Sequence, residues 1–269
     1  MNTTEVDQET GREGSERPNL PVITLLTDFG TADYYVGAVR GAVLSVNPAA
    51  VIVDITHEIP PQDLAAGAFT LFAAYKTFPA GTIHVAVVDP GVGSTRRAII
   101  VSANDQFFVG PDNGLFTYIY DREPSHRTVH VTADRFFRPE VSMTFHGRDI
   151  FAPVAAALSK GVAIEEFGAK INDEVRLPSL ETPLRIIHID RFGNCVTNVT
   201  RADKGVVING RTISEFRRFY GEGDDESLFA IRGSAGFLEI SINGGSAAKI
   251  LGVKRGDEVG LTGLQDLQD

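Results

Sequence analysis

The chain has 269 residues, which at roughly 150 per domain favours two domains. Hydrophobic residues make up 43% and charged residues 22%, with 17 Phe and 27 Gly, the balance of a chain that folds around a core rather than staying disordered. Lys and Arg total 25 against 35 Asp and Glu, and the net charge of −10 repels nucleic-acid phosphates and anionic membrane surfaces.

The single cysteine, Cys195, rules out an intrachain disulfide and any cysteine-based zinc or iron–sulfur site, which suits a reducing compartment. Residues 1–20 read as a disordered tail, because the first 19 hold five acidic and two basic side chains and almost no apolar ones, the opposite of a secretory signal. No apolar run approaches the 18 or so residues that cross a bilayer, so a cytoplasmic location without membrane attachment is expected.

From Pro21 the pattern changes. Val22–Leu26 is a continuous apolar run ending in Thr27-Asp28-Phe29-Gly30, as a buried parallel strand ends. Residues 33–46 place Tyr35, Val39, Ala42, Val43 and Val46 at helical spacing, and Asn47-Pro48 stops them. A second strand is predicted over Val51–Ile55, a helix from about Asp63 to Lys76 with Asp63 at the N-cap, and a third strand over Thr82–Val88. This alternation predicts an α/β domain over residues 21–180 with a central, mostly parallel sheet. Runs at Ala98–Val101 and Phe107–Val109, and helices after Pro111 and over about Asp149–Ser159, extend it. Beyond residue 182 only short strands separated by Gly, Asn and Asp remain, and a smaller all-β, barrel-like domain is predicted over residues 184–262.

Ligands of open parallel sheets bind beyond the carboxyl ends of the strands. Asp28, Asp54 and Asp89 all fall at such ends; each could simply cap a turn, but three in register suggest a site. The loop Asp89-Pro90-Gly91-Val92-Gly93-Ser94-Thr95-Arg96 lacks the Gly-Lys-Ser/Thr of a phosphate loop and the third glycine of a dinucleotide fingerprint, so it either brings Asp89 and an arginine near a ligand or is an ordinary two-glycine turn. His146, in Thr144-Phe145-His146-Gly147-Arg148-Asp149, sits in the loop feeding a helix and is the best placed of six histidines for proton transfer, although a lone histidine is often structural. Asp54-Ile55-Thr56-His57-Glu58 is a loose metal-ligand set whose spacing matches no zinc motif. Asp190-Arg191-Phe192-Gly193-Asn194 offers an aromatic face, a carboxylate and an amide that could grip a flat heterocycle. The turns at Ser234 and at Asn243-Gly244-Gly245-Ser246 either present backbone groups to it or are plain hairpin turns.

These motifs, with Gly110-Pro111-Asp112-Asn113-Gly114 and Gly245-Ser246-Ala247-Ala248, occur in the order that resembles the S-adenosyl-L-methionine (SAM) hydroxide adenosyltransferases, or SAM hydrolases, relatives of fluorinase and chlorinase. The resemblance spans about residues 21–262. It implies cleavage of SAM to adenosine and L-methionine, with SAM as substrate and no cofactor or metal. It also implies a homotrimer whose sites lie between the N-terminal domain of one subunit and the C-terminal domain of the next. By the same resemblance Asp89, Arg96 and His146 handle the attacking water, and Asp28 accepts hydrogen bonds from the ribose hydroxyls. Asp33 and Asp190 lie near the methionine ammonium, Ser234 near its carboxylate, and Phe192, Asn194, Asn243 and Gly244 around adenine, with Phe145 also against the substrate. Two other classes stand beside it: a metal-dependent phosphohydrolase using Asp28, Asp54, His57 and Asp112, and a SAM-binding sensor without turnover.

Overall fold

The computed structural model describes residues 21–223 and 227–262; the tail expected over residues 1–20 lies outside them. Seven strands, β1 (Val22–Thr27), β2 (Val51–Thr56), β3 (Ile83–Val87), β4 (Ala98–Ala103), β5 (Gln106–Pro111), β6 (Arg127–His130) and β7 (Lys170–Ile171), form one sheet in the order β2-β1-β3-β5-β4-β6-β7. The β2-β1-β3-β5 half is parallel, as predicted. The far half is antiparallel: Asn104 and Asp105, at φ 52° and 55°, make a two-residue hairpin between β4 and β5, and β6 and β7 continue the pattern. Apolar runs look alike in either pairing, so the reversal had to come from the Asn-Asp turn.

Helices cover both faces. On one side α1 (Tyr35–Val46) and α4 (Ala152–Leu158) bury Val39, Val43, Val154 and Leu158 against Ile23, Leu25 and Val85. On the other, α2 (Leu64–Ala74) and α3 (Thr117–Arg122) bury Phe69, Leu71 and Ile119 against Leu26, Val101 and Phe108. Ile23 and Leu25 on one face and Leu26 on the other explain why β1 is apolar throughout instead of alternating. Asp63 caps α2 as expected, its Oδ1 accepting the Ala66 amide hydrogen at 3.0 Å. The predicted helix up to Lys76 ends sooner, at Ala74, and tightens into a 3₁₀ turn over Tyr75–Thr77.

The C-terminal region is strand-rich. β8 (Ile186–Ile189), β9 (Cys195–Thr197), β12 (Phe216–Arg217), β13 (Phe229–Arg232) and β14 (Leu238–Ser241) form a five-stranded sheet; β10 (Val206–Ile208), β11 (Arg211–Ile213) and β15 (Val259–Leu261) form a three-stranded one. Ile186, Cys195, Ile208, Ile240 and Val259 share one core between the two sheets. A short helix, α5 (Ala247–Leu251), interrupts the all-β pattern. Ser246 accepts the Lys249 amide hydrogen at its start and Gly252 closes it at φ 65°, and five residues are too few to show a period in sequence. The C-terminal region meets α2 through Ile187 and Val196 in the core around Phe69, and through an ion pair between Arg255 and Asp63 at 2.6 Å.

Candidate active site

Asp89 leaves the carboxyl end of β3, Arg96 lies just before β4, and His146 precedes a π-helical turn over Gly147–Phe151. The structure brings the three together. Arg96 Nε donates to Asp89 Oδ1 at 3.1 Å and Oδ2 at 3.0 Å, and Nη2 donates to Oδ2 at 2.5 Å and to His146 Nδ1 at 2.7 Å. Asp89 and Arg96 are only 5% and 10% exposed in their side chains, and the guanidinium carbon sits 5.2 Å from the Phe151 ring centre. Burial, and then the positive charge of Arg96, push the His146 imidazole below its ordinary range. A guanidinium can only donate, so Nδ1 is an acceptor and the imidazole proton sits on Nε2. Gly93 makes the loop possible: it adopts φ +78°, and a side chain there would put its first carbon 2.2 Å from the Met143 carbonyl oxygen.

Asp89 and His146 open onto a cavity of about 230 Å³ that Asp28, Phe29, Thr144 and Phe145 also line. An adjoining cavity of about 450 Å³ shares Asp28, Phe29 and Phe145 and adds Tyr34, Tyr35 and Arg148. Asp28 is fixed from one side, its Oδ2 accepting the Gln62 amide hydrogen at 2.8 Å. Phe29, Tyr35 and Phe145 pack as a cluster with ring centres 5.3–6.0 Å apart. Asp33 is exposed beside this cleft and lines neither cavity.

The predicted heterocycle grip forms a separate cavity of about 620 Å³, lined by Asp190, Phe192, Asn194, Asn243 and Gly244 together with Tyr220. Phe192 is 76% exposed at its edge. Asp190 organises the loop: Oδ1 accepts the amide hydrogens of Phe192 at 2.9 Å and Asn194 at 2.8 Å, and Oδ2 accepts the Asn194 side-chain amide at 2.8 Å. Tyr220 was not foreseen from sequence, since an aromatic residue in a Gly-rich turn carries no periodic signal; its hydroxyl donates to Glu239 at 2.9 Å, and burial first and then this bond push it up to about 12. Ser234 lies exposed in the turn between β13 and β14, outside the lining of this cavity. No residue lines both this cavity and the N-terminal cleft.

The rival clusters are committed elsewhere. Asp54 pairs with Arg40 and approaches His57, Glu58 accepts from Thr31, and Asp112 is held by Arg97 and the Val175 amide hydrogen. Among the described residues no group of three or more His, Cys, Asp or Glu side chains is placed to hold a metal ion.

Against known proteins, the profile of the SAM hydroxide adenosyltransferase N-terminal domain matches residues 23–168 and that of the C-terminal domain residues 184–260. An (R)-S-adenosyl-L-methionine hydrolase of Thermus thermophilus is 40% identical over 254 residues, covering 89% of this chain and 98% of the relative. One from Methanocaldococcus jannaschii is 37% identical, covering 89% and 95%. A fluorinase of Actinoplanes is more distant, 26% identical over 68% of this chain and 73% of the fluorinase. A crystal structure of an uncharacterized conserved protein from Thermotoga maritima superposes with a TM-score of 0.84 at 34% identity, covering 89% of this chain and 99% of that one. With both domain profiles matched in order and relatives aligned over almost their whole length, the chain belongs to the SAM hydroxide adenosyltransferase family.

Proposed function

We propose that the protein hydrolyses SAM to adenosine and L-methionine, the (R) sulfonium epimer named for its relatives being the substrate, with no cofactor. The observation that carries this is the buried Asp89–Arg96–His146 cluster facing a cavity that Asp28 borders. Water attacks the ribose C5′ in line, the C5′–O bond forms as the C5′–S bond breaks, and methionine departs as a neutral thioether that needs no proton. The remaining work is to place the water and accept its proton. His146 Nδ1 is taken by Arg96, so its Nε2–H donates to the water oxygen. Asp89 takes the proton on Oδ1, which accepts a single bond from Arg96 and keeps a second acceptor position. Alignment can lower such a barrier by roughly 7–11 kcal/mol, and a positioned base contributes about 10²- to 10⁴-fold. Asp89 also repels a halide at the same position.

Asp28 is assigned to the ribose diol, Phe145 to the sugar's surroundings, Asp33 and Asp190 to the ammonium and Ser234 to the carboxylate. Phe192, Asn194, Asn243 and Gly244 are assigned to adenine. The separation of the two cavities in one chain supports a homotrimer in which the adenine cavity of one subunit faces the cleft of the next. No described helix is long and apolar enough to cross a membrane; a cytoplasmic location belongs to the same proposal. The test incubates purified protein with (R)-SAM and a chelator and separates products by chromatography. Adenosine plus methionine is expected; S-adenosylhomocysteine, or turnover only after a divalent metal is added, overturns the proposal. Mixing Asp89→Ala with Asn194→Ala under subunit exchange should restore part of the activity, and no recovery would remove the shared site.

A further inference from the structure

Three side chains at the carboxyl edge of the sheet form a line that the proposed chemistry does not use. Thr27, the last residue of β1 and 1% exposed, has its hydroxyl oxygen 2.8 Å from Nδ1 of the buried His57. The same oxygen accepts the Phe29 amide hydrogen at 3.2 Å. On its other side the imidazole places Nε2 3.1 Å from Asp54 Oδ1, off the axis of a full hydrogen bond, and Asp54 is itself paired with Arg40. The Asp54 carboxylate facing Nε2 favours one arrangement of protons for the neutral ring. With the Phe29 N–H on the hydroxyl oxygen, the hydroxyl hydrogen points to Nδ1 and the ring hydrogen on Nε2 points to the Asp54 carboxylate.

His57 grips the loop a second time through its backbone, its carbonyl oxygen accepting the Gly30 amide hydrogen at 2.8 Å, with Gly30 at φ +66°. The two anchored amides belong to the two residues after Asp28, so the chain leaving Asp28 is pinned from one set of groups. Its carboxylate is steadied from the opposite side by the Gln62 amide hydrogen. We propose that Asp54, His57 and Thr27 are positioning residues that hold the Asp28 carboxylate at the angle needed to grip the vicinal diol of a ribose. They touch no ligand themselves. The inference rests on the nucleoside portion of SAM lying against Asp28.

The test compares Thr27→Val, nearly the same shape without the hydroxyl, with Thr27→Ser, which restores it, and with His57→Phe as an independent break in the line. Calorimetry measures dissociation constants for adenosine and 2′-deoxyadenosine, and steady-state assays measure kcat and KM for SAM. The wild type should prefer adenosine by about tenfold or more, the worth of a hydrogen bond to a charged group. In Thr27→Val and His57→Phe the preference should collapse to within about twofold while KM for SAM rises more than kcat falls, and Thr27→Ser should recover it. A broken line that left the adenosine preference intact, even with weaker binding overall, would overturn the inference, as would a wild type indifferent to the 2′-hydroxyl. Discrimination that follows this pattern in a protein without SAM turnover would instead sink the proposed reaction and leave the inference standing.

Discussion

The Asp89–Arg96 pair lends itself to a double-mutant cycle that separates what the cluster does for chemistry from what it does for stability. With side chains 5% and 10% exposed, neither charge can turn to water when its partner is removed. Arg96→Met strands a buried carboxylate and Asp89→Asn strands a buried guanidinium; breaking a buried pair from one side costs about 3–5 kcal/mol. The double variant leaves no stranded charge, and Met at position 96 keeps the packing against Phe151 that the arginine stem supplies. Its loss should therefore be no larger than that of the worse single variant, while all three proteins should fail to release adenosine. Urea unfolding at pH 7.5 gives the stabilities, and chromatography of SAM incubations gives the activities. Losses that simply add would show that the two charges do not depend on each other; residual turnover in the double variant would show that they are not needed for the reaction.

Phe192→Ala should leave stability within about 0.5 kcal/mol, as for an exposed surface position, because the ring is 76% exposed; it should still weaken SAM binding by about tenfold or more, within the cost of truncating an aromatic anchor, and an unchanged KM would refute its place against adenine. Protonated His146 could no longer accept from Arg96, and burial and Arg96 lower its pKa, so kcat/KM should fall on the acid side through a midpoint below the ordinary 6.5; a limb at or above that value would contradict the geometry. His84 is fully buried between Thr24 and Gln106, and burial pushes it down to about 4 from 6.5. The unfolded chain therefore takes up a proton that the native state refuses. Stability from this group is complete above pH 6.5 and drains away toward pH 4, by about 2 kcal/mol at pH 5. His84→Gln should lose that much less than the wild type between pH 7.5 and pH 5 in urea titrations, and parallel pH curves would refute it.

The parallel half of the sheet could be read from the chain because βαβ units announce themselves by alternating period, and Asp28 and Asp89 could be found because strand ends are where such sheets bind. His146 could be placed on a loop but not beside Arg96, since 50 residues separate them and only the fold closes that distance. Asp190 shows a different limit. Its residue type suits an ammonium, and only the fold shows that its carboxylate also makes three bonds within its own loop, shaping the turn that carries Phe192 and Asn194. The antiparallel half and α5 were less legible, because each depends on a few residues whose local sequence also suits plain turns and strands.

The π-helical turn after His146 makes chain length itself part of the candidate site. Between His146, which faces the cleft, and Ala152, where regular α4 begins, the wide turn holds the buried Asp149 that accepts from Arg148 and from the Ser142 amide hydrogen. A π turn spends about one residue more per revolution than an α turn, so a one-residue deletion within Gly147–Phe151 is absorbed by reverting to α geometry, whereas one within the regular α4 would rotate His146 by about 100° relative to the packed end of that helix while leaving every side chain of the cluster in the sequence. Substitutions along this segment can be tested one at a time and tolerated by size and charge. A single-residue deletion within α4 offers no such compromise.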